Sequence, residues 1–237
     1  MREETCCPVV ELRQYTLVPG GREVLISLFE RHFIESQEAT GMIVIGQFRD
    51  LNNPDRFVWL RGFADMVSRA HQLEEFYGGP IWKEHREAAN ATMIDSDNVL
   101  LLRPARSDSA FRLENLKRPP LETNETSKAL IVATIYYLAG SADSFGEFFE
   151  KEIAPPLTKA GASILSTFVT ENHPNTFPKL PVREGENVFV SFSRFANREA
   201  YEQHASSFAE PTSGKQSALI KTLETLLLAP TARSLLR

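Results

Sequence analysis

The chain repeats itself. Tyr15-Thr16-Leu17 returns as Tyr136-Tyr137-Leu138, Phe63-Ala64-Asp65 as Phe195-Ala196-Asn197, and Leu100-Leu101-Leu102-Arg103-Pro104 as Leu226-Leu227-Leu228-Ala229-Pro230. The offset is roughly 120–132 residues, the mark of a duplicated unit of domain size. Between the copies, Arg106–Lys128 is rich in Ser, Asp and Asn and holds the pair Pro119-Pro120, the composition of a linker. The expected division is therefore a first repeat at 1–105, a linker at 106–128 and a second repeat at 129–237.

Each copy reads as β-α-β-β-α-β. In the first, Val9–Leu17 alternates as a strand, Pro19-Gly20-Gly21 turns, and Arg22–Gln37 sets Leu25, Leu28, Phe29 and Phe33 at helical spacing. A hairpin follows over Gly41–Phe63, then a helix capped by Asp65 with Met66, Ala70, Leu73 and Tyr77 on one stripe, stopped by Gly78-Gly79-Pro80. A short helix, Ile81–Asn90, leads to a strand at Asn98–Arg103. The second copy predicts strands at Leu130–Leu138, Ser163–Thr170, Asn187–Phe195 and Thr225–Leu228, with helices at Ser144–Ile153, Arg198–Ser207 and Ser213–Lys221. This order is the ferredoxin-like motif, whose helices cover one sheet face and leave the other in need of a partner. The expected fold is α+β: two tandem ferredoxin-like repeats whose antiparallel sheets pack face to face as an intramolecular α/β barrel.

Composition limits the role. With 42% hydrophobic and 24% charged residues, the 237-residue chain has ample core material. A net charge of −5 without a Lys/Arg run argues against nucleic acid. The opening MREETCCPVVEL lacks the apolar run of a secretory signal, and no uncharged apolar stretch of about 18 residues offers a membrane span. A cytoplasmic location is the default expectation. Cys6 and Cys7 are adjacent, which suits neither a structural disulfide nor a tetrahedral metal site. The histidines form no metal-ligand spacing, and no phosphate-cradling glycine loop or nucleophile elbow exists, so no metal and no cofactor are expected.

The hairpin carries the chemistry. Side chains two apart share a face, so Ile43, Ile45, Gln47 and Arg49 align, as do Phe57, Trp59, Arg61 and Phe63. The other faces, Val44/Gly46/Phe48 and Val58/Leu60/Gly62, are apolar or small and read as helix-covered core. The polar face, joined by Arg13 and Tyr15, is expected to meet a neutral wall of Thr134, Tyr136, Phe168, Thr170, Ser191 and Ser193 from the second copy. Guanidiniums gathered in one cleft call for an anion between them, and Arg suits a carboxylate bidentately. Arg13, Gln47, Arg49, Trp59, Arg61 and Tyr77 are thus the candidate ligand-binding set. The competing reading pairs the arginines with Glu11, Asp50 or Asp55 as a fastening for the hairpin. His85 is a candidate acid/base, weighed against a histidine bonded to a backbone carbonyl. Tyr15, as an oxyanion donor, is the other catalytic candidate, weighed like Tyr77 against a core tyrosine. The long connection Glu171–Glu186, with Phe177 and Leu180 as apolar anchors, either covers the barrel mouth or reaches a neighbouring subunit, and the contact role is preferred.

The chain resembles the NIPSNAP family in its bacterial two-repeat form. The resemblance rests on Glu11–Tyr15, on Gly46–Asp50 with Pro54–Phe63, and on Phe76–Lys83 through Asn90; in the second copy it rests on Asn175–Pro178 and Pro181–Glu186. It implies the dimeric α/β-barrel superfamily, which includes cofactor-free monooxygenases, aromatic cyclases, lactone isomerases and haem-binding enzymes, while most NIPSNAP members lack an assigned reaction. The expected function is a cofactor-independent enzyme, of isomerase, cyclase or monooxygenase type, on a small hydrophobic anionic or phenolic compound. The alternative is a non-catalytic ligand-binding or protein-interaction role. An exposed barrel edge would make a homodimer reasonable.

Overall fold

The computed structural model describes residues 6–123, 125–205 and 219–237. The first half supplies strands β1 (Val9–Leu17), β2 (Ile43–Asp50), β3 (Arg56–Phe63) and β4 (Met93–Pro104). Its helices are α1 (Gly21–Leu28), α2 (Ile34–Glu38), α3 (Met66–Gly78) and α4 (Pro80–Asn90). The second half supplies β5 (Leu130–Leu138), β6 (Ser163–Thr170), β7 (Val188–Phe195) and β8 (Ile220–Pro230), with α5 (Ala142–Phe148), α6 (Ala154–Lys159) and α7 (Arg198–Ala205). A π-helical turn interrupts the first helix of each half, at Phe29–Phe33 and at Phe149–Ile153. Among the described residues, no helix is long and apolar enough to cross a membrane.

Strong alternation makes the strands readable. Leu130–Leu138 and Ser163–Thr170 are reproduced to the residue, and β4 and β8 extend beyond the expected cores. The Asp65 carboxylate accepts from the Ser68 backbone N–H at 2.6 Å, the expected cap of α3. The predicted helix at Ser213–Lys221 lies mostly outside the described residues, and its last two positions already belong to β8.

All eight strands close into one antiparallel barrel in the order β1-β3-β2-β8-β5-β7-β6-β4. Pairing inside each half is long: β1 and β3 match over eight residues, as do β5 and β7. The two seams between halves are short. Phe48, Arg49 and Asp50 pair with Pro230, Ala229 and Leu228, and Leu102, Arg103 and Pro104 pair with Thr170, Val169 and Phe168. Irregular segments extend both seams. Thr231 donates its N–H to Gln47 O, and the Gln47 N–H goes to Ser234 Oγ. At the other seam, Ala105 N–H donates to Thr167 O, and the Thr167 N–H goes to Ser109 O. Among the described residues the closed ring leaves no sheet edge for a second copy to extend, so the edge argument for a homodimer does not apply to this barrel.

One expectation is inverted. The barrel interior takes the apolar hairpin face, including Phe48, Val58 and Leu60, together with Leu12, with Ile131, Ala133 and Ile135 of β5, and with Phe168, Val190 and Phe192. The polar face of Arg13, Tyr15, Gln47, Trp59 and Arg61 therefore turns outward, under the helices of its own half. A bulge between Val44 and Gly46 exchanges two neighbours, so that Ile45 enters the interior and Val44 joins the helix-covered layer. Thr134, Tyr136, Ser191 and Ser193 lie on the outward face of the second sheet, on the far side of the barrel, so the two walls never meet. Two sheets closing on one another exclude water best through branched aliphatics and Phe, whereas an amphipathic helix can bring polar partners to the face it covers.

Close packing inside the barrel also explains Gly62, where a Cβ would collide with Cys7 Sγ. Cys6 and Cys7 are joined in a vicinal disulfide, where adjacency is expected to suit no structural disulfide. The 106–128 segment is more than a tether, since Phe111 is buried in the barrel interior against Phe168 and Phe192.

Candidate functional site

The layer between the first sheet and its helices holds one buried charge cluster. Strand register sets Glu11 opposite Arg61 and Arg13 opposite Trp59, so all four side chains emerge on the helix-covered face. From above, α3 adds Arg69, which shares a stripe with Leu73 and Phe76. Glu11, Arg13, Arg61 and Arg69 are each at most 1% exposed. The Glu11 carboxylate is fully used: Oε2 accepts from Arg13 Nη1 and Arg61 Nε, and Oε1 accepts from Arg69 Nε, all at 2.7 Å. Burial alone would raise the Glu11 pKa, but Arg61, Arg13 and Arg69 together hold it far below the usual carboxylate range. Three guanidiniums against one carboxylate leave two net positive charges in a buried layer.

Secondary partners spread that charge. Arg13 Nε donates to Tyr15 Oη at 3.0 Å, and Arg61 Nη1 donates to Gln37 Oε1 at 3.1 Å and to Tyr77 Oη at 3.4 Å. Gln37, four residues after Phe33, is fixed by donating its Nε2 to Phe33 O at 2.9 Å. The Arg61 guanidinium also lies 5.0 Å from the Trp59 ring centre, a cation–π contact. Arg61 Nη2, Arg69 Nη2, Trp59 Nε1 and both amide atoms of Gln47 are buried without a protein partner.

Beside the cluster is a cavity of about 30 Å³ walled by Tyr15, Phe29, Phe33, Trp59, Tyr77 and Trp82, with Gln37 also on its surface. Room for roughly one or two water molecules is all this volume provides. Its polar atoms include the two phenols and the Gln37 amide, and each of these groups takes a hydrogen bond from the arginine cluster. A phenol oxygen that accepts from a guanidinium keeps its own proton to donate. Burial raises the Tyr15 pKa against the pull of Arg13, so this hydroxyl stays protonated at neutral pH.

The remaining candidates lie elsewhere. Arg49 leaves the cluster and forms a two-pronged pair with Glu23 of α1, at 2.8 and 2.6 Å, rather than with Asp50. His85 stacks on His32 at 3.8 Å between ring centres and does not line the cavity. Glu11 enters as the pairing partner that the competing reading names, whereas Arg69 and Gln37 escape the sequence reading. Both carry a signal, a polar residue at helical spacing on an apolar stripe. Among the described residues, no group of three or more His, Cys, Asp or Glu side chains is arranged to hold a metal ion.

The long connection of the second half packs against the site from the other half of the chain. Arg69 Nη1 donates to Asn175 Oδ1 at 3.0 Å and to Thr176 Oγ1 at 3.3 Å, and the Phe177 ring stacks on Tyr77 at 6.0 Å. Lys179 pairs with Glu74 of α3 at 2.9 Å. The second sheet has no equivalent cluster, because the register that sets Arg13 opposite Trp59 sets Thr134 opposite Ser191 there, and Val132 opposite Ser193. In that half Tyr136 is bonded to Ser191 and Thr134, and burial pushes its hydroxyl up to about 12.

Residues 10–108 match the family model for NIPSNAP, and the match ends before the second half. No curated protein matches the chain. Solved structures share the fold across nearly the whole length. A candidate monooxygenase from Lactobacillus acidophilus NCFM is 16% identical, with 96% of this chain and 94% of that one covered, at a TM-score of 0.52. A candidate monooxygenase from Fusobacterium nucleatum subsp. nucleatum is 10% identical, with 95% and 93% covered, at 0.54. An anthrone oxidase-like protein is 12% identical, with 99% and 95% covered, at 0.54. At these identities the likeness is one of fold.

Proposed function

We propose, from the match of residues 10–108 to the NIPSNAP family model, that the chain acts on a small hydrophobic phenol, enol or aromatic acid beneath the helices of its first half. The observation that carries this reading is the pair of phenols, Tyr15 and Tyr77, which line an apolar cavity while accepting hydrogen bonds from buried arginines. Donors held in this way favour negative charge on a ligand oxygen, the charge that develops when an enol or phenol loses its proton. Isomerisation, cyclisation and cofactor-independent oxygenation all pass through such an anion. Tyr15 is the proposed proton donor. Arg13 and Arg61 position and polarise the phenols, and Trp59 supplies a flat apolar wall. Arg49 has no part in this site, and His85 acts only if α4 moves. The small cavity volume favours a second reading, in which the cluster fastens α3 to the sheet and the site binds little or nothing.

Ligand-observed NMR and thermal shift against a panel of small phenols and aromatic acids separate the two. A hit should raise the melting temperature of the intact chain and lose at least about tenfold in affinity in Tyr15→Phe and in Tyr77→Phe, both of which keep the ring. No hit, or a hit indifferent to both substitutions, would leave the fastening role alone.

A further inference from the structure

The sequence holds two cysteines, and the fold joins them to each other. A disulfide stabilises by closing a loop in the unfolded chain, and its worth grows with the length of that loop. Cys6 and Cys7 are adjacent, so their bond closes the shortest loop a chain can form and ties no two elements together. Stapling is therefore not its role. The fold nevertheless makes room for it. Cys7 has a φ of +67°, the one non-glycine residue with a positive φ among the described residues. The strand beside it keeps a bare backbone at Gly62, where a Cβ would run into both Cys7 Sγ and Cys7 Cβ.

The two sulfurs have unlike surroundings. Cys7 is 6% exposed and belongs to the barrel-interior cluster that contains Val10, Ile45 and Leu60. Cys6 is half-buried at the margin of the same cluster. It also lines a cleft of about 670 Å³ between the start of α3, the end of β4 and the first residues of the 171–186 arm, and Cys7 does not. A cleft of that size admits a small molecule. It shares no residue with the phenol-lined cavity, so its chemistry is independent of the function proposed above. Exchange of a disulfide with an outside thiol depends on which sulfur can be reached, and here only one faces the cleft.

We infer that Cys6 and Cys7 form a reversible thiol–disulfide exchange site for a low-molecular-weight thiol of the glutathione type, with Cys6 the sulfur attacked from the cleft and Cys7 the buried resolving sulfur. In the reducing direction a thiolate adds to Cys6 Sγ, the bond between the two cysteine sulfurs breaks, and its electron pair leaves on Cys7 as a thiolate. A second thiolate then attacks the small-molecule sulfur of the mixed disulfide and releases Cys6. In sum, two small thiols are oxidised to one disulfide, the cysteine pair is reduced, and the two thiol protons pass to Cys6 and Cys7. Oxidation runs the same steps backwards, with the small disulfide as oxidant. Cys7, one residue away and held in the core, re-closes the ring on any adduct that lingers at Cys6. Opening the ring frees the Cys7 backbone, and the contacts placed to register this are the Cys6 N–H bond to Phe111 O at 2.8 Å and the packing over Gly62.

The test is equilibration of the full chain at stepped ratios of reduced to oxidised glutathione, quenched with iodoacetamide and read by intact mass. The expected result is two interconverting species, an unalkylated ring and a doubly alkylated dithiol, whose proportions follow the ratio in both directions. Cys7→Ser should accumulate one glutathione on Cys6 for want of a resolving sulfur. In Cys6→Ser, Cys7 should be alkylated at least about tenfold more slowly than Cys6 is in Cys7→Ser, with the difference lost in urea. Circular dichroism identifies the variants that keep the fold, and Cys6→Ala with Cys7→Ala repeats the comparison where serine is not accommodated. A pair that closes at no ratio, a ring that resists excess dithiothreitol in the folded chain, or equal alkylation of the two sulfurs in their variants would overturn the proposal. So would disulfide-linked dimers in place of the ring.

Discussion

Removing Glu11 should unbalance the first half more than any other single charge change. In Glu11→Gln the side chain keeps its shape, but Arg13, Arg61 and Arg69 lose their common counter-ion while remaining buried. At an effective dielectric near 20, each contact with charges ~4 Å apart is worth about 4 kcal/mol before desolvation and the mutual repulsion of the arginines are counted. Breaking a buried pair costs about 3–5 kcal/mol in net terms, and three pairs break at once here, so about 5 kcal/mol is expected. For a chain of this size that corresponds to a fall in melting temperature of about 10–20 °C. Urea unfolding followed by circular dichroism measures it. The structure also supplies a control, because the second sheet builds the same positions from Val132, Thr134 and Ser193. A concerted variant, Glu11→Val with Arg13→Thr, Arg61→Ser and Arg69→Leu, removes every charge together and should cost less than Glu11→Gln alone. The linkage has a definite sign. Glu11 is held below its ordinary value, so its contribution is present above about pH 4.5 and is lost as pH falls toward its folded pKa. The penalty of Glu11→Gln should accordingly shrink in acid. A loss under about 1 kcal/mol at neutral pH, within the range of surface pairs, would mean that the cluster is not held by this carboxylate.

Two further outcomes follow from packing. Phe177→Ala should free the 171–186 arm from Tyr77 at a cost of about 3 kcal/mol, and proteases should then cut within the arm; unchanged resistance would show that Lys179 and Asn175 suffice. Burial, with His85 and Arg31 nearby, lowers the His32 pKa while Glu84 pulls the other way, so its neutral form is favoured in the fold. Stability should therefore be full above about pH 6.5 and fall as pH drops toward the folded pKa, and His32→Phe should flatten that slope in melting curves between about pH 5 and pH 7.5; an unaltered slope would exclude this stacked pair as its source.

The strands and the repeat are legible because alternation and matched ends are local features of the sequence. Which sheet face turns inward is not. Both faces of β1 and β3 are buried, so burial cannot distinguish a helix-covered face from a barrel interior, and a reading from pattern alone puts the arginines in the wrong layer. The useful signal is relative: Leu12, Val58 and Leu60 are wholly apolar, and the more apolar face belongs between the sheets. Arg69 is readable from its spacing with Leu73 and Phe76, but its partner Glu11 lies 58 residues earlier and only strand register joins them. The destination of the 171–186 arm depends on a meeting of Asn175 with Arg69 across 106 residues, which no local pattern announces.

The short seam at β2 has a consequence for synthesis. Gln47 waits for Ser234, 187 residues later, before its backbone N–H is satisfied. At the usual pace of translation, about 5–20 residues per second, β2 stands with an open edge for roughly 10–40 s after it emerges. Its guards during that interval are its own: the bulge between Val44 and Gly46, and the charges of Arg49 and Asp50 at its end. Replacing those charges with apolar residues would leave the finished barrel with much the same core, and would expose the nascent chain to pairing with its neighbours on the polysome.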